Sequence, residues 1–346
     1  MDILIVDDSP LARVIVSDIL HELPFVNRIE AVRNGKSALE VIQKQKLDLI
    51  ILDVEMPVMN GIEFLQEKRM RGIEIPVIML SSYTQKGAEI TLKALELGAM
   101  DFVPKPDASR SSLKDIKEDL LKKIENFYND FFLKKSLKEQ KRAVIEKITP
   151  KKSLKDFEVL LIGASTGGPK VIFKIIRQIP RNFPLPIVIV QHMPEFFTRS
   201  FAQRLDTESS LLIFEAEDLR ELEPGQAVVA KGNKHLLFRR LKERTFRIFL
   251  SDEEKYNSHR PSVDKTLLNL IELTNGKVVA IILTGMGKDG LESCRVLKEK
   301  NGFIIAQDEE TSVIFGMNRR VIEEGYADVV LPDDKIVDYL LTMNEF

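Results

Sequence analysis

The chain has 346 residues, long for one hydrophobic core when domains commonly run to about 100–200, so two domains are expected. With 44% hydrophobic and 30% charged residues, a net charge of -2 and one cysteine, it excludes collagenous, disordered and disulfide-stapled classes and any multi-cysteine zinc site. The balanced charge argues against a dedicated nucleic-acid binder, and the acidic start MDILIVDDSP, with no apolar run of about 18–20 residues, argues against a signal peptide or membrane insertion, so a cytoplasmic location is expected.

The first 106 residues alternate β-rich runs with helical patterns. The runs are ILIVDD (3–8), a weaker NRIEAV (27–32), DLIILDV (48–54), PVIMLSS (76–82) and DFVPKP (101–106). Strands alternating with helices predict βαβ units, here a flavodoxin-like (βα)5 domain whose functional groups gather at the carboxyl ends of its strands. Asp7 and Asp8 end one strand and Asp53 ends another, so three carboxylates converge at one sheet edge. Like charges of this kind call for a cation, and an all-oxygen set suits Mg²⁺. The same edge receives Ser81 and Lys105, the latter followed by Pro106. Together these groups make a phosphorylatable aspartate site.

On these residues, 1–106 resembles a response-regulator receiver domain. The resemblance implies Asp53 as phosphoacceptor and Mg²⁺ held by Asp7, Asp8, Asp53 and the backbone carbonyl of Glu55. It also implies that Ser81 and Lys105 contact the phosphoryl oxygens and that Phe102 is the aromatic switch.

From Ser109 to Lys155 the chain turns polar and basic, with 14 Lys and Arg against 7 Asp and Glu between Arg110 and Lys155. Leu113, Ile116, Leu120, Leu121, Ile124, Phe127, Tyr128 and Phe131 recur at three and four residues, which predicts an amphipathic helix running into a linker. Ile148-Thr149-Pro150 breaks any helix. The domains are therefore expected at 1–108 and 155–346, with a helical basic linker over 109–154.

The second half resumes with VLLIGAST (159–166) and continues through PIVIVQHM (186–193), LLIFEA (211–216), AVVAKG (227–232), LLFRR (236–240), FRIFLS (246–251), KVVAIILTG (277–285) and GFIIAQ (302–307). Helical patterns join several of these, whereas 225–251 has the look of hairpins. A doubly wound, mostly parallel sheet with an antiparallel hairpin insertion is predicted.

The stretch LLIGASTGGPK admits two chemistries. A Walker loop needs a lysine directly after its last glycine, where Pro169 stands, and the dinucleotide fingerprint G-x-G-x-x-G fails at Ser165. The sequence Gly163-Ala164-Ser165-Thr166-Gly167 instead satisfies G-x-S-x-G between a strand and a helical pattern, a turn that exposes a serine nucleophile. A serine needs a base, and there are four histidines. His21 belongs to the first helix of the other domain, His235 to the hairpin stretch, and His259 to a loop with its role open. His192, ending PIVIVQHM just before Pro194, emerges at the same edge as Ser165 and is taken as the base. Asp289, in the glycine-rich turn GMGKDG after KVVAIILTG, is taken as the acid that orients the imidazole. The order Ser165, His192, Asp289 differs from the serine, acid, histidine order of α/β-hydrolases, so that fold is not inferred. Cys294, at helical spacing in LESCRVLKEK, is expected to be a small packed residue.

GASTGGP, QHMPEFFTRSFAQRL, RPSVD and LTGMGKDG make 155–346 similar to the catalytic domain of the chemotaxis protein-glutamate methylesterases. With its receiver, the whole chain resembles the regulated methylesterase/glutaminase family. The resemblance implies Thr166 and Met286 near the substrate and oxyanion site and no cofactor in this half. It also implies methyl-accepting chemotaxis receptors as substrate, a chemotaxis histidine kinase as phosphodonor, and an unphosphorylated receiver that covers the active-site mouth. Asn318, where the family usually has proline, and Leu291, in place of a usual small residue, depart from its pattern. A receiver with a nucleotide- or DNA-binding output is the alternative, opposed by Pro169 and by the lack of a basic recognition helix after residue 155.

Overall fold

In the computed structural model, which describes residues 1–82, 84–105, 113–137 and 152–344, the first five apolar runs pair into one parallel sheet. In chain order the elements are β1 (Asp2–Val6), α1 (Pro10–Leu20), β2 (Arg28–Val32), α2 (Gly35–Lys44), β3 (Leu49–Asp53), α3 (Gly61–Met70), β4 (Val77–Ser81), α4 (Gln85–Glu96), β5 (Asp101–Pro104) and α5 (Leu113–Leu137). The sheet order is β2-β1-β3-β4-β5. Strands β3 and β4 are buried along their whole length, as expected where helices cover both faces, while β2 lies at the edge with exposed residues, which accounts for its weaker apolar pattern. Side-chain caps start the helices: Ser9 for α1, Asn34 for α2, Asn60 with Glu63 as a capping box for α3, and Thr84 for α4. Helix α5 carries Tyr128, whose ring stacks on Phe25, and Lys123, which reaches Asp101.

The chain divides into two units, Met1–Lys138 and Glu139–Phe346. Pro106, the break at Ile148-Thr149-Pro150 and the basic stretch 138–151 lie outside the described residues.

The second unit continues as β6 (Val159–Ala164), α6 (Gly168–Ile176), β7 (Ile187–Gln191), α7 (Glu195–Thr207), β8 (Leu212–Glu215), β9 (Glu221–Leu222), β10 (Gln226–Val229), β11 (His235–Lys242), β12 (Thr245–Ser251), α8 (Val263–Thr274), β13 (Val278–Ile282), α9 (Leu291–Glu299), β14 (Phe303–Gln307), α10 (Met317–Glu323), β15 (Val329–Leu331) and α11 (Ile336–Asn344). A seven-stranded parallel sheet runs β15-β14-β13-β6-β7-β10-β8, and β11-β12-β9 form a separate antiparallel sheet. One expectation is corrected here. The run AVVAKG is not part of a hairpin, because β10 pairs in parallel with both β7 and β8. A short apolar strand carries no mark of its partner, and only β11 and β12 form the hairpin. Strands β9 and β15, two and three residues long, fall below the length at which periodicity is visible.

The strand order reverses around β6, which has β7 on one side and β13 on the other. In open α/β sheets the crevice outside the carboxyl ends at such a switch point is where ligands bind. Ser165 is the first residue beyond β6, at that point.

Candidate functional site

Strand β6 is buried throughout and delivers Ser165, half-buried, at its end. The Ser165 N–H donates to the Thr284 carbonyl (3.1 Å), and its own carbonyl accepts from Gly168 N–H (2.9 Å) and from Gln191 Nε2 (2.9 Å). Two glycines make this turn possible. Gly167 has φ 79°, a left-handed conformation that side chains disfavour, and a Cβ on Gly168 would lie 2.2 Å from Gln191 Oε1. Pro169 occupies the first turn of α6, which leaves no phosphate-binding lysine there.

The last ladder pair between β6 and β7 is Ala164 with Gln191, so His192 leaves β7 opposite Ser165, its N–H donating to the Ala164 carbonyl (3.1 Å). The imidazole is fixed from two directions. Its Nε2 lies 2.8 Å from Asp289 Oδ2, and the His259 ring stacks on it with centroids 3.8 Å apart and planes 9° apart. Nδ1 is buried without a hydrogen-bond partner. An ionised Asp289 accepts a hydrogen bond from Nε2–H, so the free lone pair is on Nδ1, the tautomer a base requires. Ser165 and His192 are not hydrogen-bonded to each other, and bonds of this type commonly close only in the substrate complex.

Asp289 is fully buried, which alone would push its carboxyl up. The hydrogen bond from His192, its positive charge whenever the imidazole is protonated, and the bonds from the Asp264 N–H and the Ser262 hydroxyl reverse this and hold it well below the usual carboxylate range. Its Oδ1 accepts from Ser262 Oγ (2.7 Å) and Asp264 N–H (3.1 Å), and its Oδ2 from Val263 N–H (2.6 Å). The carboxylate thus sits on the N-terminus of α8, where unpaired N–H groups and the helix dipole favour an anion. Behind it lies Asp264, also fully buried and held by Ser293 N–H (2.8 Å), Ser293 Oγ (2.6 Å) and Asn257 Nδ2 (2.7 Å), its carboxyl pushed up by burial and by the charge of Asp289.

The structure brings Ser165, His192 and Asp289 to adjoining strand ends. Met286 follows Gly285, where an added Cβ would lie 2.8 Å from Ser165 Cβ, so the Met286 loop passes beside the serine. Thr166 is buried, its carbonyl accepting from Thr284 Oγ1 (3.0 Å). His21 is exposed at the end of α1, and His235 is buried with Nε2 2.9 Å from the Glu254 carbonyl, a structural contact. Cys294 is buried in the core. Asn318 Nδ2 donates to the Gln307 carbonyl (2.8 Å) and Ser312 Oγ (2.7 Å), tying α10 to β14, and Leu291 packs on the core. Sequence reasoning missed Gln191, Asn257, His259 and Ser262 as neighbours of the site. The signal for Ser262 was RPSVD, a serine cap followed by a helix start.

At the first unit's sheet edge, Asp7, Asp8 and Asp53 offer oxygens within 4.8 Å of one another. The Lys105 ammonium lies 2.8 Å from both Asp7 Oδ2 and Asp53 Oδ2. Two buried carboxylates and one exposed one, all oxygen donors already drawing a cation, fit Mg²⁺. Glu55 is exposed with its side chain 3.7 Å from Lys86, and Phe102 is buried with Lys123 Nζ 5.2 Å from its ring centroid. Ser81 is the exception: its hydroxyl turns toward α4, meeting Thr91 Oγ1 and the Gly87 carbonyl (3.3 Å) rather than Asp53.

Burial raises Asp53 to about 6, more than the Lys105 contact lowers it. A carboxyl raised on folding contributes stability below its unfolded pKa, near 4, and loses that contribution as pH rises through about 6. In Mg²⁺-free buffer, Asp53→Asn is therefore expected to be more stable than wild type at pH 8 by up to about 3 kcal/mol, the gap closing toward pH 4. Urea unfolding of the full chain at the two pH values checks this, and equal midpoints at pH 8 would refute it.

The CheB methylesterase family model matches residues 160–340, and the response regulator receiver domain model matches residues 3–117. A protein-glutamate methylesterase/protein-glutamine glutaminase of Thermotoga maritima is 42% identical over 342 residues, covering 99% of this chain and 98% of its own. One from Pyrococcus abyssi is 38% identical over 344 residues, covering 96% of this chain and 91% of its own. The crystal structure of the Thermotoga maritima CheB methylesterase catalytic domain matches with a TM-score of 0.52 at 48% identity, over 54% of this chain and 97% of that one.

Proposed function

The chain belongs to the CheB methylesterase family, with a response regulator receiver domain ahead of the esterase region, and from that membership we propose how its residues perform the hydrolysis. It is a carboxylic ester hydrolase for protein glutamate methyl esters and a protein-glutamine glutaminase. Ser165 Oγ attacks the side-chain ester carbonyl while His192 Nδ1 takes its proton. The bond to the methoxy oxygen breaks, and methanol leaves with the proton returned by the imidazolium. A water, deprotonated at the same nitrogen, then cleaves the acyl-serine bond and frees glutamate. On a glutamine side chain the carbon–nitrogen bond breaks and ammonia leaves. Asp289 holds the tautomer and stabilises the imidazolium. Thr166 and Met286 border the oxyanion, where each backbone donor is typically worth about 10²- to 10³-fold in rate.

The observation that carries this reading is His192, anchored through Nε2 to a fully buried Asp289 and left with a partnerless Nδ1 at the strand end adjoining Ser165. The test is methanol release from receptor membranes carrying methyl esters: purified chain that liberates none refutes the esterase. A nucleotide-binding output finds no support, since Pro169 lies where a phosphate-binding lysine belongs.

In this reading residues 1–108 form the receiver, 109–154 a basic linker and 155–346 the catalytic part. Asp53 accepts a phosphoryl group from a chemotaxis histidine kinase, and the substrates are methyl-accepting receptors. Asp7, Asp8, Asp53 and the Glu55 carbonyl would hold Mg²⁺, which would supply positive charge against the phosphoryl oxygens, with Lys105 as a further contact, Ser81 as another once its hydroxyl turns from Thr91, and Phe102 as switch. Phosphorylation adds roughly -1.5 to -2 charges at Asp53. Among the described residues no helix is long and apolar enough to cross a membrane. Adding a small acyl phosphate with Mg²⁺ is expected to raise methanol release by the full chain about tenfold, a shift of roughly 1.4 kcal/mol in a closed–open balance, short of the 5.5 kcal/mol needed for a complete swing. Asp53→Asn should abolish the rise. Equal stimulation of wild type and Asp53→Asn would refute Asp53 as the switch.

A further inference from the structure

Gln191 ends β7 directly before His192 and is only 2% exposed. Its Nε2 donates to two main-chain carbonyls, that of Ser165 (2.9 Å) and that of His192 (3.1 Å). The same carboxamide leaves Oε1 buried without a hydrogen-bond partner. A buried acceptor left unsatisfied is costly, and a methionine of similar length would fill the space without one. The compensation lies in the two bonds the amide donates. Gly168 stands back to admit it, since a Cβ there would meet Oε1 at 2.2 Å.

These bonds fall where the sheet stops holding the two residues. The β6–β7 ladder ends at Ala164 and Gln191, and beyond it one main-chain bond, His192 N–H to the Ala164 carbonyl, crosses the gap. Thr284 holds the Ser165 N–H and Asp289 holds the His192 ring, but each serves one residue alone. The Gln191 amide is hydrogen-bonded to the main chains of both.

We propose that Gln191 is a positioning residue for the hydrolysis, its carboxamide holding the main chains of Ser165 and His192 in mutual register. The proposal rests on the assignment of those two residues as nucleophile and base. A shift of about 1 Å between reacting groups costs on the order of 10²-fold in rate. Loss of the donor should therefore slow the chemical step while leaving substrate affinity alone.

The experiment compares full-length wild type, Gln191→Met and Gln191→Glu, the latter isosteric but with acceptors where the donors were. It measures kcat and KM for methanol release, the rate of Ser165 modification by a fluorophosphonate located by peptide mass, and the melting temperature. Expected for both variants are a near-native melting temperature, an unchanged KM, and falls of about 10- to 100-fold in kcat and in the labelling rate together. Wild-type labelling with an equally reactive Gln191→Met overturns this proposal alone. A steep fall in melting temperature in both variants makes Gln191 a residue of the fold and overturns it too. Wild type unlabelled at Ser165 overturns the nucleophile assignment, and this proposal with it.

Discussion

Ser165→Ala is expected to lower methanol release from methylated receptor membranes by about 10⁴- to 10⁶-fold, the range in which removing a serine nucleophile leaves only binding and oxyanion stabilisation. The loss should appear in kcat, because the hydroxyl forms its bond only as the reaction proceeds. The fold should survive. Ser165 is half-buried, its structural hydrogen bonds are made by its N–H and carbonyl, and alanine keeps both. Glutamine deamidation should fall in parallel if one serine serves both reactions. Retained activity in either assay would refute the assignment for that reaction.

Asp289→Asn is expected to cost about 10⁴-fold in kcat while leaving the backbone in place. Every group around the Asp289 carboxylate is a donor: Ser262 Oγ, the N–H groups of Val263 and Asp264, and His192 Nε2. An asparagine must aim its NH₂ at one side of this ring of donors. If the amide faces α8, it opposes the helix N–H groups. If it faces His192, Nε2 becomes an acceptor and the proton moves to Nδ1, the nitrogen that has to receive the serine proton. Measuring kcat and the fluorophosphonate labelling rate decides the point, since both depend on an unprotonated Nδ1. A variant within tenfold of wild type in both would remove Asp289 from the triad.

The two sites were legible to different depths. The receiver's acids stand at the ends of β1 and β3, apolar runs that lead into Asp and pair side by side in the sheet, so Asp7, Asp8 and Asp53 were readable as one cluster from local periodicity and sheet topology. Lys105 followed by the same logic and does bridge Asp7 and Asp53. The direction of the Ser81 hydroxyl did not follow, because a rotamer is chosen by neighbours, here Gly87 and Thr91 on α4. In the second unit Ser165, His192 and Asp289 each follow a strong apolar strand, so their convergence at one sheet edge was foreseeable. Their supports were not. Ser262 and Asp264 come from a loop and helix start 25 to 27 residues before Asp289, and His259 stacks on a histidine 67 positions earlier.

The hairpin misreading of AVVAKG has the same origin. A short apolar run, half-buried at Gln226 and buried from Ala227 to Val229, states that a strand exists, and its partners depend on which edge of the sheet is open when β7 and β8 are already in place. From sequence alone came the two α/β domains, the strand ends that carry chemistry and the choice of a serine over a phosphate at GASTGG, because periodicity, glycine placement and Pro169 are local properties of the chain. Tertiary structure alone decided the tautomer of His192, the anchoring of Asp289 on α8 and the double bond of Gln191 to nucleophile and base. Those are contacts between residues far apart in sequence, and their geometry exists only once both sheets and their loops have packed.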